Sequence, residues 1–187
     1  MKNSSTGIIV WRMNPPHIWH WELIRKSLKE NSITLVCIGT KGVRDEKNPF
    51  SLDQIKKWIS SIFLNESKKI SIVELPDNPS DFQWTINFQK QLEDMKIGKD
   101  IVFYWWDLKN DYAITCIHEY MKEWEKYNIS FKERDRKKTK VHINGHDIDI
   151  SATNVRLALK EKNNDIVDKM VDKKITQDLL LEYNKWV

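Results

Sequence analysis

The chain has 187 residues, enough for one domain with a substantial core and too few for two comfortable ones. Its 31 basic and 27 acidic residues leave a formal net charge of +4, which suits a site for small anions but falls short of the dense basic stripe of a nucleic-acid binder. No apolar run approaches the roughly 20 residues needed to span a bilayer, which argues against an integral membrane protein.

The first apolar run, GIIVWR (7–12), is short and β-branched and predicts a buried strand. Pro15 and Pro16 break the chain. Beyond them HIWHWELIRKSLKE carries Trp19, Leu23, Ile24 and Leu28 at helical spacing. ITLVCIG (33–39) predicts a second buried strand, followed by a loop with Lys41 and Arg44. Ser51 and Gln54 form a capping box ahead of Ile55, Trp58, Ile59 and Ile62, one apolar helix face. ISIVEL (70–75) predicts a strand, and Trp84, Phe88, Leu92 and Met95 line the next helix. DIVFYWW (100–106) is a further strand, followed by a helix near 110–124 and a strand near 129–133. Asn144-Gly145 predicts a hairpin turn, and residues 152–187 predict helices.

This alternation implies right-handed βαβ crossovers and a mainly parallel sheet with helices on both faces, an α/β chain read as one domain over 1–187. Ligands of such sheets sit at the carboxyl ends of the strands, near the switch point. Cys37 and Cys116 lie far apart with no secretory signal ahead of them, so both read as reduced, buried small hydrophobes of a cytoplasmic protein. The basic run KERDRKKTK (132–140) reads as a solvated loop or edge.

Chemistry concentrates near the first helix start. His17 and His20 are one turn apart, and Arg12 ends the first strand just upstream. Two imidazoles, a guanidinium and a positive helix N-terminus form a receptor for polyphosphate. A helix cap plus a core histidine satisfies the same spacing. A zinc site from His17, His20, His142 and His146 lacks a cysteine or acidic residue to complete it.

Four segments in order carry a resemblance. STGIIVWRMNPPHIWH (5–20) resembles the opening of the nucleotidyltransferases marked by an HxGH motif, which in the archaeal-type nicotinamide mononucleotide adenylyltransferases reads like GRFQPxHxGH. KNPFSLDQIKKWI (47–59) looks like that family's NPF-T-xxER-xxMI segment. ELPDNPSDFQW (74–84) is similar to its strand-end PD and following tryptophan, and ISATNVRLAL (150–159) to its ISxTxxR motif. The resemblance implies a Rossmann-like nucleotidyltransferase fold with a helical C-terminal tail. It also implies adenylyl transfer from ATP to nicotinamide mononucleotide, giving NAD and pyrophosphate. By the same resemblance His17, His20, Arg12 and Arg156 would act on the polyphosphate, Ser151, Thr153 and Lys41 would bind phosphate, and Trp84 would stack on nicotinamide beside Asp77 and Asn78. Mg²⁺ would bridge phosphate oxygens with few protein ligands. Relatives of this kind often form homo-oligomers.

The chain departs from that pattern at glycine positions, where it carries Trp11, Trp19 and Trp105 or Trp106. These tryptophans can point into the core, reshape the base pocket for another nucleotide or acceptor, or fill it and leave a catalytically silent nucleotide-binding relative. A nucleic-acid role through the basic run and nearby aromatics is the alternative from another class, and steep salt dependence of binding would mark it.

Overall fold

Strand β1 (Thr6–Trp11) sends alternate side chains to opposite faces of a sheet, and the two faces receive different partners. Ile8 and Val10 enter an apolar cluster with Phe88, Leu92, Ile114 and Ile117. Gly7 faces the other way, toward helix α1 (Ile18–Glu30), so closely that a Cβ there would lie 2.0 Å from Ser27 Oγ and 2.7 Å from Asn31 Nδ2. Only glycine lets helix and strand approach this far. The computed structural model describes residues 5–105, 112–121, 124–133, 140–143 and 145–187.

Four further strands join β1 in a five-stranded sheet: β2 (Ile33–Thr40), β3 (Ile70–Pro76), β4 (Asp100–Trp105) and β5 (Asn128–Glu133). Their order is β3-β2-β1-β4-β5 and every pairing is parallel. The fold is therefore the expected α/β, Rossmann-like one. The strand order reverses between β1 and β4, whose carboxyl ends are Trp11 and Trp105. Open parallel sheets take ligands at such a switch point.

The chain divides into two compact units. The first comprises Met1–Trp11, Leu23–Gly42 and Lys68–Arg136. In it α3 (Asp81–Asp94) and α4 (Tyr112–Met121) supply the apolar residues on one sheet face, while the later turns of α1 cover Gly7 on the other. Full burial of each such aliphatic or aromatic side chain contributes roughly 1.5–3 kcal/mol. The α1 side also carries a polar network. Asn31 Nδ2 donates to Tyr104 Oη at 2.8 Å, Tyr104 donates to Glu30 Oε2 at 2.8 Å, and Lys132 Nζ donates to the same oxygen at 2.8 Å. Cys37 and Cys116 are buried and free, as expected, and burial pushes the Cys37 thiol pKa well above its ordinary value.

The second unit comprises Arg12–Glu22, Val43–Ser67 and Lys137–Val187. It holds the first turn of α1, helix α2 (Leu52–Ile62), a 3₁₀ segment (Leu64–Lys69) that runs out of it, and the hairpin β6 (Lys140–Ile143) and β7 (His146–Asp149). Helices α5 (Ala152–Lys160), α6 (Asn164–Met170) and α7 (Lys173–Trp186) follow. The predicted capping box is present, with Ser51 Oγ accepting from the Gln54 N–H and Gln54 Oε1 accepting from the Ser51 N–H. Helix α2 docks on α7 through Trp58 Nε1 and Lys57 Nζ, which donate to the Asp178 carboxylate at 2.7 and 2.9 Å. Gly145 takes φ +81°, the left-handed geometry of a tight hairpin turn. Its neighbour Asn144 lies outside the described residues, as do Trp106 and most of the basic run. Among the described residues no helix is long and apolar enough to cross a membrane.

Candidate functional site

The first turn of α1 is built around its two histidines. His17 precedes the helix as its cap, and its backbone N–H donates to Nδ1 of His20, three residues on, at 3.0 Å. His20 thus takes the part that Glu or Gln plays at the third helical position of a capping box. A backbone N–H can only donate, so Nδ1 is the acceptor and the neutral ring carries its proton on Nε2. The two rings lie 3.9 Å apart between centroids, tilted by 40°. Both residues are buried.

The loop that delivers them is held from two sides. Asn14 is 7% exposed, and its amide grips the backbone of Phe50 in both directions. Nδ2 donates to the Phe50 carbonyl at 2.8 Å, and Oδ1 accepts from the Phe50 N–H at 3.1 Å. Its own carbonyl accepts from Arg156 Nη1 at 2.7 Å. Met13 just before it has φ +49°, a left-handed conformation that costs a side-chain-bearing residue roughly 1–3 kcal/mol. The Asn14–Pro15 peptide bond is cis.

Arg156 comes from the second turn of α5. Ser151 caps that helix, its Oγ accepting from the Asn154 N–H at 3.1 Å. Thr153 Oγ1 accepts from Arg156 Nη2 at 3.1 Å, so the guanidinium is fixed by two acceptors. Burial holds its pKa below the ordinary value, while Asp45 and Tyr183 act the other way. A guanidinium remains cationic under any physiological condition. Three segments separated in sequence, 12–20, 47–51 and 151–156, therefore meet within the second unit.

The remaining predicted residues fall as follows. Arg12 is exposed immediately after β1, and Trp11 is half-buried at its end. Trp19 is 2% exposed, with its ring edge-on to His17 at 6.0 Å. Trp105 is 6% exposed and packs into the cluster of the first unit, 5.0 Å from the Phe131 ring. Lys41, Asp77 and Asn78 belong to that first unit, where Lys41 and Asp77 are exposed and Asn78 Oδ1 accepts from the Ser80 N–H. Trp84 is half-buried against the same cluster, 5.7 Å from Phe88. The structure thus brings His17, His20, Thr153 and Arg156 into one unit and places Lys41, Asp77, Asn78 and Trp84 in the other. Asn14 and Phe50, which join the segments, carried no signal of that role beyond an asparagine ahead of prolines. No group of three or more His, Cys, Asp and Glu among the described residues is arranged to hold a metal.

No family model matches this chain, and no curated protein does either. Solved structures do share its fold. A bifunctional NMN adenylyltransferase/ADP ribose pyrophosphatase from Francisella tularensis superposes with a TM-score of 0.71 at 17% identity, over 98% of this chain and 52% of that one. A second structure of that description from the same organism, complexed with AMP and a Mn ion, gives 0.64 at 19% identity, over 97% and 53%. Plasmodium falciparum nicotinic acid mononucleotide adenylyltransferase, complexed with NaAD, gives 0.59 at 16% identity and covers 98% of each chain. The present chain spans about half the length of the first two.

Proposed function

We propose that this chain is a nucleotidyltransferase that moves an adenylyl group from ATP to nicotinamide mononucleotide. The observation that carries the proposal is that the His17–His20 pair and Arg156, which donates to the Asn14 carbonyl three residues ahead of His17, lie inside one compact unit. The fold shared with adenylyltransferases supports it.

In this reaction a phosphate oxygen of the mononucleotide forms a bond to the α-phosphorus of ATP. The bond from that phosphorus to the bridging oxygen breaks, and pyrophosphate leaves with the electron pair. The attacking phosphate is already anionic, so the chain supplies position and charge rather than a base or a covalent nucleophile. His20 would donate through Nε2, the nitrogen its cap geometry leaves protonated. His17, Arg12 and Arg156 would hold the polyphosphate, with Ser151 and Thr153 setting the start of α5 beneath Arg156.

The phosphate-binding set proposed here is made of cations and hydroxyls, and Asp45, which acts on Arg156 electrostatically, has its Oδ1 engaged by the Lys47 N–H, the Asn48 N–H and the Asn48 amide. Such a set fits Mg²⁺ carried in on phosphate oxygens rather than in a protein cage. The ion would neutralise phosphate charge as pyrophosphate departs. Burial of Trp19 and Trp105 favours tryptophans that serve the core over tryptophans that fill the nucleotide pocket.

The test is pyrophosphate release with Mg²⁺, pairing each of ATP, CTP, GTP and UTP with nicotinamide mononucleotide. Release with ATP alone, with NAD formed, is the expected result. Release with another nucleotide would assign a different specificity, and silence with all four would defeat the transferase assignment for this acceptor.

A further inference from the structure

We infer that Asn14 is a positioning residue of the phosphate site, acting through Arg156; the inference rests on the phosphate-handling role given above to Arg156 and the histidines. Asn14 ties its own segment to two others. Its side chain is bonded to both the N–H and the carbonyl of Phe50, its carbonyl receives Arg156 Nη1, and its sequence position is three residues ahead of His17.

A single hydrogen bond to an arginine would leave the guanidinium free to pivot. Here the acceptor is itself immobilised, because the Asn14 amide donates to the carbonyl and accepts from the N–H of one residue, Phe50, a two-point grip. The left-handed backbone of Met13 adds a constraint: that conformation persists only where its surroundings impose it, and the Asn14 grip lies one residue away. Arg156 is then aimed by Asn14 on one nitrogen and by Thr153 on the other. The segment carrying Phe50 is tied to the same unit by the Phe50 ring, 5.0 Å from Trp58 in edge contact. Small errors in the aim of a phosphate-binding group are costly in rate, since positioning carries much of the catalysis in reactions of this kind.

The chemistry of the side chain fixes which replacements discriminate. Asn14→Asp keeps the shape and the acceptor but removes the N–H that reaches the Phe50 carbonyl. It should loosen the grip without emptying the space. Asn14→Ser, with both a donor and an acceptor on a shorter stem, carries the same test if Asn14→Asp fails to fold.

The experiment combines calorimetric binding of inorganic pyrophosphate with Mg²⁺, the adenylyl-transfer rate and the thermal transition. These are read on wild type, Asn14→Asp, Arg156→Ala and the double variant. We expect Asn14→Asp to weaken pyrophosphate binding and slow transfer by about 10-fold or more, and to change either by less than about 2-fold in the Arg156→Ala background. That non-additivity is the signature of one residue acting through the other. Equal fold-losses in both backgrounds, or a lowered melting temperature with binding and rate intact, would overturn the inference and leave Asn14 a structural residue. If wild type binds pyrophosphate but transfers nothing, the transferase assignment fails and the binding cycle still decides the role of Asn14. If wild type binds no pyrophosphate, the inference falls with the phosphate site.

Discussion

The backbone N–H of His17 and the Nδ1 of His20 are 3.0 Å apart, so the His20 ring satisfies the N–H of the residue just ahead of its own helix. The two duties of His20 can be separated. Replacing it by alanine strands the buried His17 N–H at a cost of about 1–2 kcal/mol and also removes the Nε2 donor. His20→Gln restores a cap acceptor. We expect His20→Ala to lose stability and at least about 10²-fold in turnover, and His20→Gln to recover the melting temperature with turnover still depressed. His17→Ala should lose turnover on the same scale. Thermal unfolding with steady-state pyrophosphate release checks both, and normal turnover in His17→Ala and His20→Gln would remove the pair from the mechanism.

Arg156 is held by a carbonyl on one nitrogen and a hydroxyl on another. Lysine has one compact ammonium and cannot reproduce that fork. Arg156→Ala should slow adenylyl transfer by about 10²-fold, and Arg156→Lys should recover little of it. A lysine variant at wild-type rate would mean that charge alone, not aim, is required.

Trp105 stands at the carboxyl end of β4, at the switch point of the sheet, where a large side chain could have blocked a ligand. It turns instead into the cluster of α3 and α4. Trp105→Ala should therefore cost about 3–5 kcal/mol of stability, the usual range for emptying a buried tryptophan site. Denaturant unfolding measures this. A stability-neutral variant with stronger nucleotide binding would show the indole to be a pocket plug.

Asp178 accepts from Lys57 and from the indole N–H of buried Trp58, joining α2 to α7. The Lys57 hydrogen bond lowers its carboxyl pKa from 3.8, burial opposes this, and the Trp58 hydrogen bond lowers it further. A depressed folded pKa stabilises above the unfolded value and is lost as pH falls through the folded one. The contribution is thus complete at neutral pH and disappears only below about pH 4. Asp178→Ala should cost about 1–3 kcal/mol at pH 7, chiefly by stranding the Trp58 N–H, since the Lys57 pair is exposed and screened by solvent. That difference should shrink in melts at pH 3. A constant difference from pH 7 to pH 3 would contradict the assignment.

Strands and helices were legible because apolar periodicity is a local property. β1, β2, β3, β4 and β5 appear within about two residues of the runs that predict them, and the Ser51–Gln54 box is where its residue types place it. The parallel pairing followed from the alternation, but the order β3-β2-β1-β4-β5 did not, because partner choice depends on which faces bury together. The 3₁₀ segment Leu64–Lys69 has no apolar repeat and gave no signal. At the site, the residue types of His17, His20 and Arg156 suggested phosphate chemistry, whereas their fastening did not show. Asn14 reaches Phe50 across 36 positions and Arg156 across 142, and no local pattern encodes such pairings. The side to which Trp19 and Trp105 turn was equally invisible, since a tryptophan fits a core as well as a pocket.

The threading of the second unit from three separate stretches sets an order of events as the chain is made. A ribosome releases Asn14 and the histidines early and Arg156 only 142 residues later. Loop-closure entropy and contact order then make this clasp a slow, late step, while β1 and β2, close in sequence, can pair first. Pulsed hydrogen exchange during refolding should accordingly find amides of β1 and β2 protected before those of α5. Simultaneous protection would mean that the clasp forms with the sheet.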